Sequence, residues 1–450
     1  MLPLFTYIDR INYQLKEGGL QEIIKEIILD HQTEKLNTGI KRALNYKTVK
    51  GKAFVCIGVR RCGKSTLLYQ IMSDLERRGV KRENILYLNF FDDRLTELKH
   101  GDPSLITEAY YLHYPEKKGT EEVYCFFDEI QETKNWEPFI DRILRTEKCS
   151  VFISGSSAKM LSKEIATQMR GRSLVWELFP FSFREFLAYK KVDFKKLTSK
   201  NRLMIKKCFY EYFLKGGFPE VRNIKDKIRI MMHQEYYKTI LHRDIVERFN
   251  AIHPQAVIHA GHRLISSAGS MYSINRITEY LKSLDHKVSK DFVSSCISWF
   301  EDAYFLFSVK MFSPSISKQN VNTKKIYCID HSMITSIVPG ILANKGHLLE
   351  NIIFIHLRRH TEDIYYYRTK KGQEVDFVWL DSKEKKHLAQ VCFSLKDSES
   401  RKREISALIQ AMEELNMKRS TIITMEEEAV LEEKGRTIEV LPAWRYLIHS

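Results

Sequence analysis

The sequence lacks the features of several protein classes. No apolar run approaches the length of about 18 residues that a membrane-spanning helix needs. The first residues, MLPLFTYIDR, meet an acid at Asp9 and have no basic segment before an apolar core, so we expect neither a membrane partner nor a signal peptide. The 8 cysteines are scattered singly without a CxxC pair, which disfavours a zinc site or a disulfide framework and predicts a cytoplasmic protein.

The overall composition is that of a globular protein with an excess of positive charge. Of the 450 residues, 44% are hydrophobic and 29% are charged, which predicts two or three domains with cores of their own. The net charge of +15 indicates either an anionic partner such as a nucleic acid or simply a lysine-rich, solvated surface. We find no internal repeat and no low-complexity tract.

Short apolar runs alternate with helical patterns from about residue 50 onward. AFVCIGV, NILYLNF, VYCFFDE and SVFISGS are predicted strands, and KSTLLYQIMSDLERRG is a predicted helix. Before them, LQEIIKEIILDHQTEKL carries a helical apolar stripe. Strands that alternate with helices predict a parallel sheet, with a ligand site beyond the carboxyl ends of its strands.

A phosphate-binding loop follows the first predicted strand. Residues 58–65 read GVRRCGKS and match G-x-x-x-x-G-K-[ST] between a strand and a helix. In such a loop Lys64 reaches the β- and γ-phosphates and Ser65 binds Mg²⁺, while backbone N–H groups and the helix N-terminus attract the phosphates. The predicted ATP-binding residues of this segment are Gly58, Val59, Arg60, Arg61, Cys62, Gly63, Lys64, Ser65 and Thr66.

Two acids end the predicted strand YCFFDE. Asp128 is predicted to hold Mg²⁺ through the water shell of the ion, and Glu129 is the predicted catalytic base that activates the attacking water. The alternative is a strand that ends in solvated acids. Asn89, Asp92 and Asp93 end another strand, where they either touch the water or the metal or cap a loop.

Serines and arginines further along the chain are candidates for the same site. Ser154, Ser156 and Ser157 end the strand VFISGSS, where they either sense the γ-phosphate or suit a tight turn. Arg170 and Arg172 either contact phosphate, in their own chain or across a subunit boundary, or form surface salt bridges. Ser154 and Arg172 are our predicted ATP-binding residues among these.

Helical patterns dominate the middle of the chain. Residues 184–250 read as helices, and residues 255–310 read as short helices followed by a strand, with Ser273 and Ser289 as predicted helix caps. This succession predicts a winged-helix-like unit, which binds either DNA or a protein surface.

Seven stretches, in this order, resemble a family of prokaryotic AAA-type ATPases: GVRRCGKST, YLNFFDDRL, FFDEIQE, FISGSSAKMLS, GRSLVWELFPFSFREFL, GGFPEV and YYYRTKKGQEVDFVW. The resemblance implies an α/β fold with an AAA-like P-loop NTPase core, a parallel sheet and an N-terminal helix (residues 1–185). It also implies a helical and winged-helix-like middle (186–315) and a C-terminal α/β domain similar to restriction endonucleases (316–450).

The resemblance also implies metal-binding positions in the C-terminal domain. Glu350 and Asp376 match the first two acids of restriction-like nucleases, and Glu374 lies beside them. Gln390 stands where the third strand carries an acid or glutamine, whereas Cys392 stands where it carries a lysine. A thiol does not supply the cation that offsets developing charge. We therefore predict an inactive domain whose acids form a residual polar cluster that holds the fold.

The leading hypothesis is a Mg²⁺-dependent ATP hydrolase whose nucleotide state rearranges its winged-helix and nuclease-like domains. One alternative is a slow nucleotide-dependent switch or scaffold for a protein partner. Another is an ATP-gated DNA nuclease, in which Lys370 or Lys371 replaces the missing lysine. Non-specific DNA, a protein partner and a second copy of the chain all stay open as partners.

Overall fold

The computed structural model describes residues 2–44, 46–156, 169, 171–338 and 344–449. The chain divides into two compact units. The first comprises Met1–Gly58 and Gly63–Leu178, and the second comprises Val59–Cys62 and Phe179–Ser450. The domain boundaries after residues 185 and 315 stay predictions.

The first unit contains helices on a five-stranded sheet. Its elements in chain order are α1 (Leu2–Thr33), β1 (Ala53–Gly58), α2 (Lys64–Arg77), β2 (Ile85–Asn89), α3 (Ser104–His113), β3 (Val123–Asp128), α4 (Trp136–Thr146), β4 (Cys149–Ser156) and β5 (Ser173–Glu177). The apolar stripe of α1 packs inward, with Leu20, Ile24, Ile27 and Ile28 buried.

The five strands are all parallel, in the order β2-β3-β4-β1-β5, which confirms the predicted parallel sheet. All six residues of β1 are buried, because a central parallel strand is covered on both faces and must be apolar throughout. The strand β5 had no prediction. It lies at the sheet edge, where its residues are half-buried or exposed. An edge position does not require the apolar run that marks the other four strands.

The second unit has helices and a larger sheet. Its helices are α5 (Phe183–Tyr189), α6 (Ser199–Lys215), α7 (Asp226–Thr239), the π-helix Ile240–Glu247, α8 (Pro254–Ser266), α9 (Ile274–Ser283), α10 (Lys290–Asp302), α11 (Ile316–Val321), α12 (His331–Ile337), α13 (Lys345–Arg358), α14 (Ser398–Glu414) and α15 (Ala443–His449). Ser273 and Ser289 cap α9 and α10, as predicted.

The strands of the second unit form one mixed sheet of nine strands. They are β6 (Met271–Tyr272), β7 (Leu306–Met311), β8 (Lys324–Cys328), β9 (Ile364–Arg368), β10 (Glu374–Leu380), β11 (Lys386–Val391), β12 (Arg419–Thr424), β13 (Ala429–Glu433) and β14 (Arg436–Pro442). Their order is β13-β14-β12-β11-β10-β9-β7-β8-β6. The pairing of β7 with β9 therefore joins the strands on both sides of residue 315.

No helix in the described part of the chain combines the length and the apolar character that crossing a membrane requires. All eight cysteines lie in the described part of the chain, and none of them is in a disulfide.

Candidate nucleotide-binding site

The phosphate loop joins the carboxyl end of β1 to the amino end of α2. Arg61 and Gly63 have φ angles of 66° and 102°, the left-handed region in which glycine is favoured. No side chain caps the first turn of α2 at Gly63. The first N–H groups of a helix have no partner within it, so this end of α2 offers N–H groups and a positive dipole end to an anion.

Lys64 is buried at the start of α2, with 5% of its surface exposed. Its ammonium donates to the Gly58 carbonyl at 3.2 Å and lies 3.6 Å from the Glu129 carboxylate. Both contacts keep the cation at the loop, where it is positioned to meet a phosphate.

Asp128 ends β3 and is held by hydroxyl groups from three elements. The Tyr87 hydroxyl donates to Oδ2 at 3.1 Å, the Ser154 hydroxyl donates to Oδ1, and Ser65 also hydrogen-bonds the carboxylate. Burial, followed by the nearby Glu129 charge, raises the pKa of Asp128. A divalent cation would offset both effects, and the Ser65 hydroxyl and the Asp128 carboxylate are oxygen ligands that suit Mg²⁺.

Glu129 follows Asp128 in a left-handed conformation, with φ of 58°. Its N–H donates to the Ser154 carbonyl at 2.9 Å, and its side chain accepts from the Gln131 amide. This conformation places a second, largely buried carboxylate beside Lys64. The structure thus brings together Lys64, Ser65, Asp128, Glu129 and Ser154, with the Ser154 hydroxyl on Asp128; their roles toward ATP stay predictions.

The side chains after β2 serve the local turn. Asn89 Oδ1 accepts from the Phe91 N–H at 3.0 Å, and Asp92 accepts from Arg94 and caps the 3₁₀ turn Asp93–Leu95. Of the two alternatives for these residues, Asp92 takes the role of a loop cap.

Arg172 lies at the amino ends of the strands, whereas the phosphate loop lies at their carboxyl ends. It precedes β5, whose first residue pairs with Ala53 at the start of β1, and it forms a salt bridge of 3.1 Å with Asp141. The length of β1, about 17 Å, separates that end of the sheet from Gly58. The structure does not bring Arg172 to the loop, so contact with phosphate across a subunit boundary is the alternative that stays a prediction. Arg170 and Ser157 lie outside the described residues.

The middle of the loop, Val59–Cys62, belongs to the second compact unit. Within that unit Arg60 makes a two-pronged ion pair with Asp244 of the π-helix, at 2.7 and 2.8 Å. Arg61 contacts Glu220 at 3.0 Å, but both side chains are largely exposed. The Arg60 pair is the stronger of the two, because it is bidentate and mostly buried.

Sequence analysis missed three residues around this site. Tyr87 lies in an apolar strand, where only its hydroxyl marks it as different. His31 of α1 stacks on the Tyr87 ring at a centroid distance of 4.1 Å. Arg42 is buried, and its guanidinium lies 3.3 Å from where a Cβ on Gly63 would stand. No local motif marks His31 or Arg42, since each precedes the loop by more than a dozen residues.

The residues predicted for a nuclease-like site lie in the second unit. Glu350, Glu374 and Asp376 converge, but on the ammonium of Lys325 from β8. The Cys392 thiol donates to the Ser394 carbonyl at 3.0 Å, and burial raises its pKa. The lysines at 370 and 371 are exposed in the turn before β10, and their replacement of the missing lysine stays a prediction.

Three families match successive parts of the chain. An AAA domain family matches residues 50–187, a domain of unknown function (DUF8612) matches residues 206–341, and another (DUF4143) matches residues 345–446. The Walker-type ATPase PABY2304 of Pyrococcus abyssi is similar in structure, with a TM-score of 0.38 and 14% identity over 65% of this chain and 91% of its own.

Two relatives match over most of their length. An uncharacterized protein of Haemophilus influenzae is 29% identical over 73% of this chain and 77% of its own. The uncharacterized protein MJ1544 of Methanocaldococcus jannaschii is 33% identical over 94% of this chain and 95% of its own. The chain belongs to the family of this archaeal protein and carries an AAA-type P-loop ATPase domain followed by two domains of unknown function.

Proposed function

We propose that this protein is a Mg²⁺-dependent ATP hydrolase, in which Lys64 holds the terminal phosphates and Glu129 activates water. The observation that carries the proposal is the convergence of Lys64, Ser65, Asp128 and Glu129 at the end of β1 and β3. A chain that only bound ATP would need the cation and the loop. A second buried carboxylate beside the phosphate-binding lysine is the additional group that hydrolysis uses.

Ser65 and Asp128 would hold Mg²⁺, which supplies charge neutralisation at the β- and γ-phosphate oxygens. Ser154 and Tyr87 keep the Asp128 carboxylate in place through their hydroxyl groups. Glu129 is oriented by its backbone bond to β4 and by Gln131. A bound phosphate competes with the Glu129 carboxylate for the Lys64 ammonium. Once the ammonium contacts the phosphate, Glu129 is able to accept a proton from water.

We further propose that the base of ATP enters a cavity beside α2. Gln70 of α2 donates to the Thr38 and Ile40 carbonyls at 2.6 and 2.7 Å and accepts from the Arg42 N–H at 3.0 Å. These bonds hold the segment before β1 against the helix. The cavity between them measures about 120 Å³ and is lined in part by Leu44, Tyr46 and Leu67.

The ion pair of Arg60 with Asp244 supports a link between nucleotide state and the second unit. Arg60 lies in the phosphate loop, four residues before Lys64, and its partner lies in a π-helix, a helix type often found at functional sites. We propose that a change of the loop on ATP binding or hydrolysis reaches the π-helix of the second unit through this bidentate pair.

We propose that the partner of the winged-helix-like unit is a protein surface rather than DNA. The succession α8-β6-α9-α10-β7-β8, with β8 antiparallel to both β6 and β7, has the order of a winged helix. Exposed residues of α10 include Lys290, Asp291, Ser294 and Ser298, a nearly neutral face rather than a basic one. DNA titrated at about 50 mM salt should bind weakly, whereas tight binding that weakens steeply with salt would make DNA the partner.

Phosphate release from Mg-ATP is the experiment that tests hydrolysis. We expect steady multiple turnovers that stop with EDTA, measured on the full chain with and without added DNA. Stoichiometric ATP binding without phosphate release would reject hydrolysis and favour the slow switch. Turnover that requires DNA and is accompanied by strand cleavage would favour the ATP-gated nuclease.

A further inference from the structure

Three acids of the second unit meet at one point between α13 and the sheet. Glu350 comes from α13, while Glu374 and Asp376 come from β10. Glu350 and Asp376 are 5% and 6% exposed. Burying carboxylates in this way is costly unless a cation or hydrogen bonds compensate their charge. The resemblance to restriction endonucleases implies a divalent metal at this position.

The cation found there is the chain's own. Lys325 of β8 is 2% exposed, and its ammonium lies 2.8 Å from Glu350 Oε1, 2.8 Å from Asp376 Oδ1 and 2.6 Å from Glu374 Oε1. A lysine ammonium has three N–H donors and no acceptor. Two of its donors hydrogen-bond to Glu350 and Asp376, and Glu374 adds a third carboxylate at ion-pair distance.

The surrounding hydrogen bonds hold the acids around the ammonium. Glu350 Oε1 also accepts from the Tyr327 hydroxyl at 2.6 Å, and Asp376 Oδ2 accepts from the Val391 N–H at 2.9 Å. Gln390, the predicted third ligand, turns its carbonyl oxygen to the Asp376 N–H at 3.0 Å. Across the described residues, no set of three or more His, Cys, Asp or Glu side chains has the geometry of a metal site.

We propose that Lys325 is a built-in cation, which occupies the place of a divalent metal in this acidic cluster and makes the second unit independent of metal. The ammonium sits on the oxygens that a metal would need, so a metal binds only when the lysine side chain is removed. This proposal does not depend on ATP hydrolysis at the phosphate loop.

Lys325 also joins two parts of the chain. The lysine belongs to the segment matched at residues 206–341, and the three acids belong to the segment matched at residues 345–446. A divalent ion would compensate the acids equally well but would not be attached to β8. Because the ammonium is covalently attached to β8, its ion pairs with the acids hold the two segments together, which a free metal ion would not do.

Mn²⁺ binding to the full chain, purified without nucleotide, tests the proposal. Lys325→Met keeps the length of the side chain and removes its charge. We expect this variant to bind one Mn²⁺ by electron paramagnetic resonance and to melt at a higher temperature when Mn²⁺ is present. Lys324→Met, the neighbouring and partly exposed lysine of the same strand, is the matched control and should behave as the wild type.

A second change locates the ion. Lys325→Met combined with Asp376→Asn removes a charged ligand and should weaken the Mn²⁺ binding gained by Lys325→Met. The proposal is overturned if wild-type protein binds Mn²⁺ and loses it on Asp376→Asn. It is equally overturned if folded Lys325→Met shows no Mn²⁺ binding beyond the wild type.

Lys325→Met leaves three buried acids together and can fail to fold in the absence of metal. In that case Lys325→Met combined with Glu350→Gln lowers the buried negative charge and keeps an acceptor for the Tyr327 hydroxyl. We expect this double variant to fold without metal and to bind Mn²⁺ through the remaining acids. A folded double variant that ignores Mn²⁺ would reject the proposal.

Discussion

Lys64 and Lys325 are both buried beside carboxylates, and their surroundings differ. Lys64 of the first unit donates to a neutral carbonyl at 3.2 Å and lies 3.6 Å from Glu129. Lys325 of the second unit lies within 2.6 to 2.8 Å of three carboxylates. Lys64 follows a loop with residues in left-handed conformations, whereas Lys325 lies inside a strand.

The difference fits the two roles that we propose, ligand binding for Lys64 and stabilisation of the fold for Lys325. Moving Lys325 would leave three acids in the protein interior without their cation. Removing one partner of a buried ion pair destabilises the fold by about 3–5 kcal/mol. The contacts of Lys64 are longer, and one of them is to a carbonyl. A phosphate can replace them at little cost, because it brings negative charge to the same ammonium.

The largest effect is expected from the acid beside Lys64. Glu129→Gln keeps the size of the side chain but removes its ability to accept a proton, so ATP turnover should fall by about 10²- to 10⁴-fold while ATP still binds. Phosphate release and equilibrium ATP binding measure the two quantities. Glu374→Gln changes a half-buried acid of the Lys325 cluster in the same way and should leave turnover unchanged. Equal losses in both variants would end the distinction between the two clusters.

A smaller effect is expected from Lys64 itself. Lys64→Ala removes a charged hydrogen-bond donor to the terminal phosphates, which is worth about 1.5–3 kcal/mol, roughly a 10- to 100-fold loss of nucleotide affinity. The variant should melt near the wild-type temperature when no nucleotide is added. ATP titration by calorimetry measures the affinity, and exposed Lys52→Ala is the matched control.

Unchanged ATP affinity in Lys64→Ala would mean that the loop residues bind no phosphate through this lysine. Lys325→Met should show the opposite behaviour, with lower stability and unchanged nucleotide affinity. A loss of ATP affinity in Lys325→Met, measured on folded protein, would connect the two lysines functionally.

The first site was readable from the sequence because its parts are local. The loop lies in one contiguous segment, and Asp128 and Glu129 adjoin each other at the end of a strand that four apolar residues mark. The structure adds what no local pattern contains, above all that β4 lies between β1 and β3 and so places Ser154 against Asp128. The edge strand β5 and the position of Arg172, at the amino ends of the strands and away from the loop, follow from sheet order, which local patterns do not encode.

The second cluster was readable only in part. The resemblance marked Glu350 and Asp376, but Lys325 lies 25 and 51 residues away from them in the chain. A single lysine in the strand KKIYC carries no sign of a distant acidic partner, because the partnership depends on how β8 and α13 pack. The sequence located the acids and missed the cation for this reason. The same applies to Arg60, whose partner Asp244 is 184 residues away.

The smallest effect is expected from His31, a buried histidine that stacks on Tyr87. It should make the stability of the first unit, but not that of the Lys325 cluster, depend on acid. Burial, with the Arg82 charge as the second cause, lowers the pKa of His31 to about 3. In unfolded chains histidine has a pKa near 6.5. His31 is therefore neutral in both states above that pH, and the unfolded state alone takes up the proton between about pH 6.5 and pH 3. The histidine should cost stability as the pH falls through this range, by at most about 1.4 kcal/mol per pH unit.

His31→Phe is the variant that isolates this contribution. Neither ring nitrogen of His31 has a hydrogen-bond partner among the described residues, so phenylalanine loses no bond and can keep the stacking on Tyr87. Denaturant unfolding at pH 7 and pH 5 should give a smaller loss of stability for His31→Phe than for the wild type, and exposed His113→Phe should follow the wild type. Since His31 stacks on Tyr87 of the first unit, the acid effect should appear in the unfolding of that unit and leave the Lys325 cluster intact. Equal pH dependence in wild type and His31→Phe would mean that the buried ring takes up its proton at an ordinary pH.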